Sequence, residues 1–327
     1  MYKDRFSNDI GEVDEAVKKH SEMIRADYSD KNMLTQKMMQ TKGHPLQTYK
    51  RENDKILQLT AEIRDLISSG GDCGNKFKAL GDISIHYAEK GDIIYPLLKS
   101  KYDIEGPNSV MWTEDDVIRT EIKKADTDEK LLAVLTKIEN MANKENNILY
   151  PICAVNFSDD DWYAIYRDEK CYDDAFGIKS EIWDEAPSEE PTEITYDEKI
   201  ILPTGELSLN ELRWLLNTLP MEITFVDIND KNKYFNEGKK LFKRPMMSLG
   251  RSVYSCHPPK IEAMVKAIIG DFKSGKKDKV QVYSNKNGTK MCVTYLPVRD
   301  DRGEYLGTVE LCQDMAFFEG YKRCACF

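Results

Sequence analysis

The chain has 327 residues, enough for about two domains with a core each. Its 57 acidic and 47 basic residues give a net charge of -10 at pH 7, which argues against general affinity for nucleic acid or for an anionic membrane surface. Because the sequence has neither an apolar run of about 20 residues nor a signal-peptide pattern at its start, we expect a cytoplasmic protein.

The predicted secondary structure of the chain changes near residue 183. Residues before this point favour helices, whereas short alternating strands with hairpin turns are indicated after residue 200. The segment between them, WDEAPSEEPTEITYDEK, is acidic, contains two prolines and is typical of an exposed linker. The predicted divisions are an N-terminal helical extension (1–43), a helical bundle (44–182), an acidic linker (183–200), a second domain (201–320) and a cysteine-containing tail (321–327).

The helical region contains an internal duplication. The segment IHYAEKGDIIYPLL at 85–98 has a near copy, NMANKENNILYPIC, at 140–153, and the two preceding helices also share a pattern. Matched residues advance by steps of three and four, which places them on one helix face and predicts a four-helix bundle. The four predicted core stripes are Tyr49, Asn53, Ile56, Thr60 and Ile63; Ile83, His86, Lys90, Ile93 and Leu97; Met111, Asp115, Ile118, Ile122 and Ala125; and Ile138, Met141, Glu145, Ile148 and Ile152.

Each predicted stripe places polar side chains at one level of the bundle. These side chains are Asn53, His86 with Lys90, Asp115, and Glu145. A buried charge costs several kcal/mol unless it is paired or bound to a metal. The sequence therefore predicts either a metal centre at this level or a set of groups that satisfy one another.

Residues 44–155 resemble the hemerythrin-like family of the His-His-Glu type, and the duplicated ends IIYP and ILYP are similar to the ends of that family's second helices. This resemblance implies two repeated helix pairs that hold two irons through imidazole and carboxylate ligands. Comparison of the matching positions shows that most of these ligands are missing in this sequence. Asn53, Asp115 and Met141 stand where the family has histidines.

Two interpretations of this centre stay open. In the one we favour, Lys90 stands where the family has a glutamate, and its ammonium replaces the lost cations opposite Asp115 and Glu145. Asn53 and His86 would complete the hydrogen bonds of this metal-free core. The alternative is a mononuclear iron or similar site, with the ligands His44, His86, Asp115 and Glu145. The first of these histidines is otherwise expected to cap a helix or to lie at the surface.

The second domain begins with a predicted helix that carries a capping box, Ser208 with Glu211 three residues later. Two strands at 223–227 and 233–236 flank the turn NDKN, and a longer helix follows the segment CHPPK. Three further strands are predicted at 279–284, 290–299 and 304–314.

This order of elements resembles that of a PAS domain, and ITFVD, KYFN and VRDDRGEYLGTVELCQDM are similar to the opening and closing strands of PAS sensors. The segments LPTGELSLNEL, CHPPK and RDDRGEYLGT, together with the bundle, resemble a bacterial family of unknown function over about residues 44–323. That family couples a degenerate hemerythrin-like bundle to a PAS module. The resemblance implies an α+β fold of two domains, the second an antiparallel sheet with helices.

PAS domains hold a ligand or cofactor between sheet and helix, or serve in dimerisation. Cys256 and His257 precede the longer helix and are expected to face this pocket, and both residue types are haem ligands. Contact with a ligand or haem is one role for His257, and a helix-entry position bonded to nearby backbone is the other. In the tail CACF, Cys324 and Cys326 either bind metal, sense redox state or do neither.

These features favour a non-enzymatic sensor or signalling adaptor. The PAS module would bind a small molecule, and a protein partner or a second copy of the chain would receive the change. The alternative is a protein with non-haem iron, or with haem, that senses or handles oxygen, nitric oxide or iron. Neither interpretation involves a nucleic acid or a membrane.

Overall fold

The computed structural model describes residues 28–187, 199–238, 240–286 and 288–316. The chain divides into two compact units, Met1–Pro187 and Ser188–Phe327. The cysteine-containing tail, most of the predicted linker and most of the predicted N-terminal extension lie outside the described residues.

The first unit is helical and contains the predicted bundle. Within the described residues, no helix combines the length and the apolar composition needed to cross a membrane. Its α-helices are α1 (Tyr28–Gln40), α2 (Pro45–Ser68), α3 (Gly74–Leu80), α4 (Ile83–Glu89), α5 (Tyr95–Tyr102), α6 (Gly106–Ile122), α7 (Asp128–Lys144), α8 (Tyr150–Asn156) and α9 (Asp159–Glu169).

Two π-helical turns interrupt the bundle at equivalent places of the duplication. One turn, Lys90–Ile94, joins α4 to α5, and the other, Glu145–Leu149, joins α7 to α8. A proline follows each turn at the second position of the next helix, Pro96 and Pro151. Because a proline inside a helix removes a backbone hydrogen bond and crowds the carbonyl four residues earlier, a wider turn relieves this conflict.

The π turn corrects part of the predicted core stripe in the last helix. Ile148 and Ile152, which the spacing placed in the core, are only half-buried, whereas Leu149 and Cys153 are 2% and 0% exposed. The π turn adds one residue to the helical repeat, so the buried face after Glu145 moves on by one position.

The helical unit extends slightly into the segment predicted as a linker. Trp183 is 7% exposed, its ring centroid lies 4.7 Å from that of His44, and its backbone N–H donates to the hydroxyl of Tyr166. Helix α9 begins with a capping box, because Ser158 accepts from the backbone N–H of Asp161 and the Asp161 carboxylate accepts from the backbone N–H of Ser158.

The second unit is an antiparallel sheet with helices. The strand order is β4-β3-β7-β6-β5, and a separate hairpin is formed by β1 and β2. The elements are β1 (Lys199–Leu202), β2 (Gly205–Ser208), α10 (Leu209–Thr218), β3 (Glu222–Asp227), β4 (Asn232–Phe235), α11 (Pro259–Lys273), β5 (Val280–Lys286), β6 (Thr289–Arg299) and β7 (Tyr305–Asp314).

The five strands predicted from sequence alternation are present, and the predicted capping box at Ser208 starts α10. The β1–β2 hairpin was not predicted, because its residues were assigned to the approach to the helix. The long helix α11 packs on the sheet through Ile268 and Phe272, which contact Tyr305, and through Val265 and Ile269. This burial of apolar side chains holds helix and sheet together.

Gly307, on β7, lies where its neighbours leave no room for a side chain. A Cβ at this position would lie 2.3 Å from the carbonyl oxygen of Val226 and 2.7 Å from the ring of Phe225. We expect Gly307→Ala to lower the free energy of unfolding of this unit by about 1–3 kcal/mol, because the strands must separate. Thermal unfolding followed by circular dichroism measures the loss.

Gly270→Ala is the matched control for that change. Nothing lies within 4 Å of the Cβ position at Gly270, on the exposed side of α11. Alanine there should stabilise the helix by up to about 1 kcal/mol. Equal effects of the two substitutions would contradict the close approach at Gly307.

Candidate functional site

A closed group of charged side chains lies at the centre of the helical bundle. Each of its members is at most 2% exposed, and each comes from one of four elements of the bundle: α2, the α4 helix with its π turn, α6, and the second π turn. We call this group the core ion cluster; its members are Glu52, His86, Lys90, Asp115 and Glu145.

Lys90 lies between two carboxylates of the cluster. Its Nζ donates to Oδ1 of Asp115 at 3.2 Å and to Oε1 of Glu145 in a short contact. The ammonium also lies 4.3 Å from the ring centroid of Tyr87. Lys90 and Glu145 are the first residues of the two π turns, so the duplicated turn places opposite charges at equivalent positions.

His86 joins two carboxylates through both nitrogens of its ring. Nδ1 lies 2.6 Å from Oε2 of Glu52, and Nε2 lies 2.9 Å from Oε2 of Glu145. Burial disfavours the charged ring, but Glu145 and Glu52 outweigh it and raise the pKa of His86 to about 9. The ring is therefore a doubly protonated cation at neutral pH and donates both hydrogen bonds.

The carboxylates of the cluster respond differently to their surroundings. Burial alone would raise the pKa of Glu145, but Lys90 and His86 lower it to about 2. Burial also dominates at Asp115 and raises its pKa to about 6, although Lys90 opposes this effect. Glu145, with two cationic neighbours, is therefore the firmly ionised acid of the cluster.

Two tyrosines and an asparagine close the cluster. The hydroxyl of Tyr95 donates to Asp115 at 2.9 Å, and that of Tyr150 donates to Glu145 at 3.2 Å. Asn53 was expected, with His86, to complete the hydrogen bonds of the metal-free core. Its Nδ2 donates to the hydroxyl of Tyr150 at 3.0 Å, so the amide reaches the charged groups through that tyrosine.

Sequence reasoning did not identify Glu52, Tyr95 and Tyr150 as part of the site. Glu52 lies beside the predicted stripe, because the buried face of α2 is wide enough to include both position 52 and position 53. The two tyrosines are the repeated residues of IIYP and ILYP. Their repetition at equivalent places of the duplication indicates a shared role in the site as well as a shared fold.

His44 does not lie in the core ion cluster. It is the N-cap of α2, and its Nδ1 accepts from the backbone N–H of Leu46 at 3.1 Å. Its ring packs between Trp162 and Trp183, each with a centroid distance of 4.7 Å, and burial lowers its pKa to about 4. This is the capping role that the sequence left open.

In the second unit, Cys256 and His257 stand just ahead of α11. The Nδ1 of His257 donates to the carbonyl of Val253 at 2.7 Å, and burial lowers the pKa of this histidine. The thiol sulfur of Cys256 accepts from the Nδ2 of Asn232 at 3.3 Å. A role of either residue toward a ligand stays a prediction.

The fold and the cluster together define a two-unit protein: a bundle of repeated helix pairs with a closed ionic centre, and a five-stranded antiparallel sheet flanked by helices. Residues 44–153 match the family described as hemerythrin HHE cation binding domain, and residues 212–316 match a PAS domain family. The chain therefore combines a hemerythrin-like helical domain with a C-terminal PAS domain in an α+β fold, and this prediction is confirmed.

Comparison with solved structures finds several similar chains. The crystal structure of a C-terminal domain from Streptococcus mutans is 36% identical, covering 37% of this chain and 96% of that chain, with a TM-score of 0.36. A PAS domain from Colwellia psychrerythraea is 13% identical, with coverage of 32% and 95% and a TM-score of 0.26. A sensory box sensor histidine kinase from Vibrio cholerae is 12% identical, with coverage of 32% and 87% and a TM-score of 0.24. A comparison with curated proteins finds no match.

The core ion cluster does not fit the iron that the hemerythrin-like family implies. A metal ligand needs a free lone pair, but both nitrogens of His86 hold protons shared with carboxylates, and the ammonium of Lys90 has none. Throughout the described ranges, no group of three or more His, Cys, Asp or Glu side chains is arranged to hold a metal ion. The positive charge opposite the carboxylates is supplied by the protein itself.

Proposed function

We propose that the protein is a cytoplasmic, non-enzymatic PAS-containing sensor or signalling adaptor, whose hemerythrin-like domain works with a protein ammonium in place of metal. The observation that carries this proposal is the position of Lys90 between Asp115 and Glu145, with no exposure to solvent. A lysine held there occupies the space in which a cation would act.

The closure of the cluster supports a structural or transmitting role for the bundle. Catalytic groups must reach a substrate, whereas the five charged side chains are at most 2% exposed and direct their hydrogen bonds to one another. A network of this kind specifies one packing of the four helices. The charge of each member influences the protonation of the others, since each carboxylate shares its cation with another.

The second unit supplies features that suit signalling. Helix α10 carries Trp214 and Leu215, and Leu219 caps its C-terminus; these apolar side chains have 55%, 51% and 38% of their surface exposed. Exposed apolar groups of this size favour association with a protein partner or with a second copy of the chain. A small molecule would bind near Cys256 and His257, between α11 and the sheet.

Metal and absorbance analysis of protein purified from iron-containing medium tests the proposal. We expect a folded, colourless sample with far less than one equivalent of iron. Stoichiometric iron with a charge-transfer band would overturn the metal-free role and favour an iron protein that handles oxygen, nitric oxide or iron. A sharp Soret band that His257→Ala removes would instead identify a haem sensor.

A further inference from the structure

A cavity of about 320 Å³ opens in the helical unit, on the side of the bundle next to α9. Five of its lining residues are acidic: Glu52, Glu89, Glu169, Asp173 and Asp174. Three of these carboxylates, at positions 52, 89 and 169, are at most 5% exposed. We call this space the acidic cavity.

Two buried groups in the acidic cavity are incompletely hydrogen-bonded. Among the described residues, neither carboxylate oxygen of Glu169 nor the hydroxyl of Thr48 has a hydrogen-bond partner of ordinary geometry, although the hydroxyl of Ser180 lies near enough to Glu169 to affect its pKa. Glu169 is 5% exposed and Thr48 is 4% exposed. Because a buried polar atom without a partner costs about 1–3 kcal/mol, these atoms are available to a ligand with several N–H donors.

The charges in the cavity select a cationic ligand. Lys170 and Lys179 also line it, but the Nζ of Lys170 lies 4.1 Å from the ring centroid of Tyr166, and the carboxylates still outnumber the lysines. The arrangement does not suit a bare metal ion, because no three acidic groups in the described ranges lie close enough to share one. A ligand whose N–H donors point in several directions can instead bond to carboxylates that lie apart from one another.

We propose that the acidic cavity binds a small organic cation that carries an ammonium or guanidinium group. Such a group offers three or five N–H donors and pairs strongly with carboxylates. Glu169 and Glu89 would accept from it, and the hydroxyl of Thr48 would supply a further contact. Apart from Glu52, which belongs to both, the residues of this site lie outside the core ion cluster, and the site is independent of the PAS ligand.

Proton release should accompany binding. Burial, followed by the nearby charges of Glu52 and Glu169, raises the pKa of Glu89 well above its usual range. Burial, and then Glu52, raises the pKa of Glu169 to about 8, although the hydroxyl of Ser180 opposes this effect. The other charged groups in the cavity are Asp173, Asp174, Lys170 and Lys179, with Asp92 acting on Glu89 from the adjacent π turn. A bound cation favours the ionised acids, so binding tightens as pH rises.

The site also contacts the core ion cluster through one residue. Glu52 lines the cavity and accepts from the Nδ1 of His86 at 2.6 Å. A cation beside Glu52 competes with the imidazolium for the same carboxylate. Occupancy of the cavity is thereby coupled to the centre of the bundle by a single shared side chain.

Isothermal titration calorimetry of the full chain with agmatine and with putrescine tests this site, with magnesium and calcium chloride as comparison ligands. We expect one organic cation to bind per chain, about tenfold more tightly near pH 8.5 than near pH 6.5, with proton release seen in buffers of different ionisation enthalpy. Failure of both amines to bind at millimolar concentration would overturn the proposal, and so would binding of the metal ions alone.

Three variants connect binding to the cavity. Glu169→Gln should weaken the amine about tenfold near pH 8.5, and Asp174→Asn, at an exposed lining position, should weaken it about threefold without disturbing the fold. Glu304→Gln, an exposed acid of the other unit, should leave it unchanged. Equal affinities for all three variants would show that the amine binds elsewhere.

Discussion

Replacing Lys90 with methionine is expected to lower the free energy of unfolding of the helical unit by about 3–5 kcal/mol at pH 7. Methionine fills a similar volume but leaves Asp115 and Glu145 without the ammonium that both accept from. Removal of one partner from a buried ion pair leaves an uncompensated charge, and this is the costly case. The loss is measured by urea unfolding, followed by the helical circular dichroism signal.

Two further variants show whether charge is the cause. Lys130→Met removes an ammonium whose side chain is 58% exposed and pairs with the exposed Asp126, so it should change stability by less than about 1 kcal/mol. The double variant Lys90→Met with Asp115→Asn removes one charge of each sign, and it should recover more than half of the loss. An unchanged transition in Lys90→Met alone would show that the ammonium neutralises nothing.

The loss of stability caused by Lys90→Met should also be smaller at acidic pH. Without Lys90, the carboxyl of Asp115 loses the group that opposes the effect of burial on its pKa, so it takes up a proton more readily. Protonation removes the unpaired charge. The difference between wild type and Lys90→Met should therefore be smaller near pH 5 than near pH 7, whereas a pure packing defect would be the same at both.

The sequence predicted the level of the core ion cluster because side-chain spacing and duplication are local properties. Lys90 and Glu145 occupy equivalent positions of the repeat, and steps of three and four place both in the core. A buried lysine is costly unless it is paired, so pairing of Lys90 with Asp115 and Glu145 was one of the two interpretations that the sequence supported.

The parts of the site that were missed depend on geometry that periodicity does not contain. A π turn has no pattern of its own in the sequence, so the shift of burial to Leu149 and Cys153 was not visible. The bond between Glu52 and His86 joins residues 34 positions apart, and nothing local indicates it. Asn53 was placed at this level without a specific partner, because the direction of its amide depends on the hydroxyl of Tyr150.

The second unit was predicted more completely, since its strands alternate and its turns are marked. The hairpin of β3 and β4 and the three-stranded meander each carry polar turn residues between apolar runs. The β1–β2 hairpin was not predicted from these patterns. Its strands have only four residues each, and β1 is mostly exposed, so neither gives a clear apolar face.

The stability of the helical unit is expected to fall as pH rises from about 6.5 to about 9, and His86 is expected to be a main cause. The ordinary pKa of a histidine is 6.5, and in the folded protein that of His86 is raised to about 9. Between these values the folded state holds a proton that the unfolded state has lost, so its stabilising effect is complete below about pH 6.5 and is lost through pH 9. The full effect amounts to about 3 kcal/mol.

His86→Gln separates this effect from the other titrating groups. Glutamine keeps hydrogen-bonding capacity toward Glu52 and Glu145 but carries no proton to lose, so the variant should be less stable near pH 6 and should have a clearly smaller slope above pH 6.5, where Glu89 and Glu169 still contribute. Glu169, whose pKa is raised to about 8, lowers stability in the same direction between about pH 4.5 and 8, and Glu169→Gln should remove that contribution, which overlaps the histidine range below pH 8. If the slope above pH 6.5 survives intact in His86→Gln, the imidazolium is not the cation that joins Glu52 to Glu145, because a neutral ring would be replaced without consequence in that range.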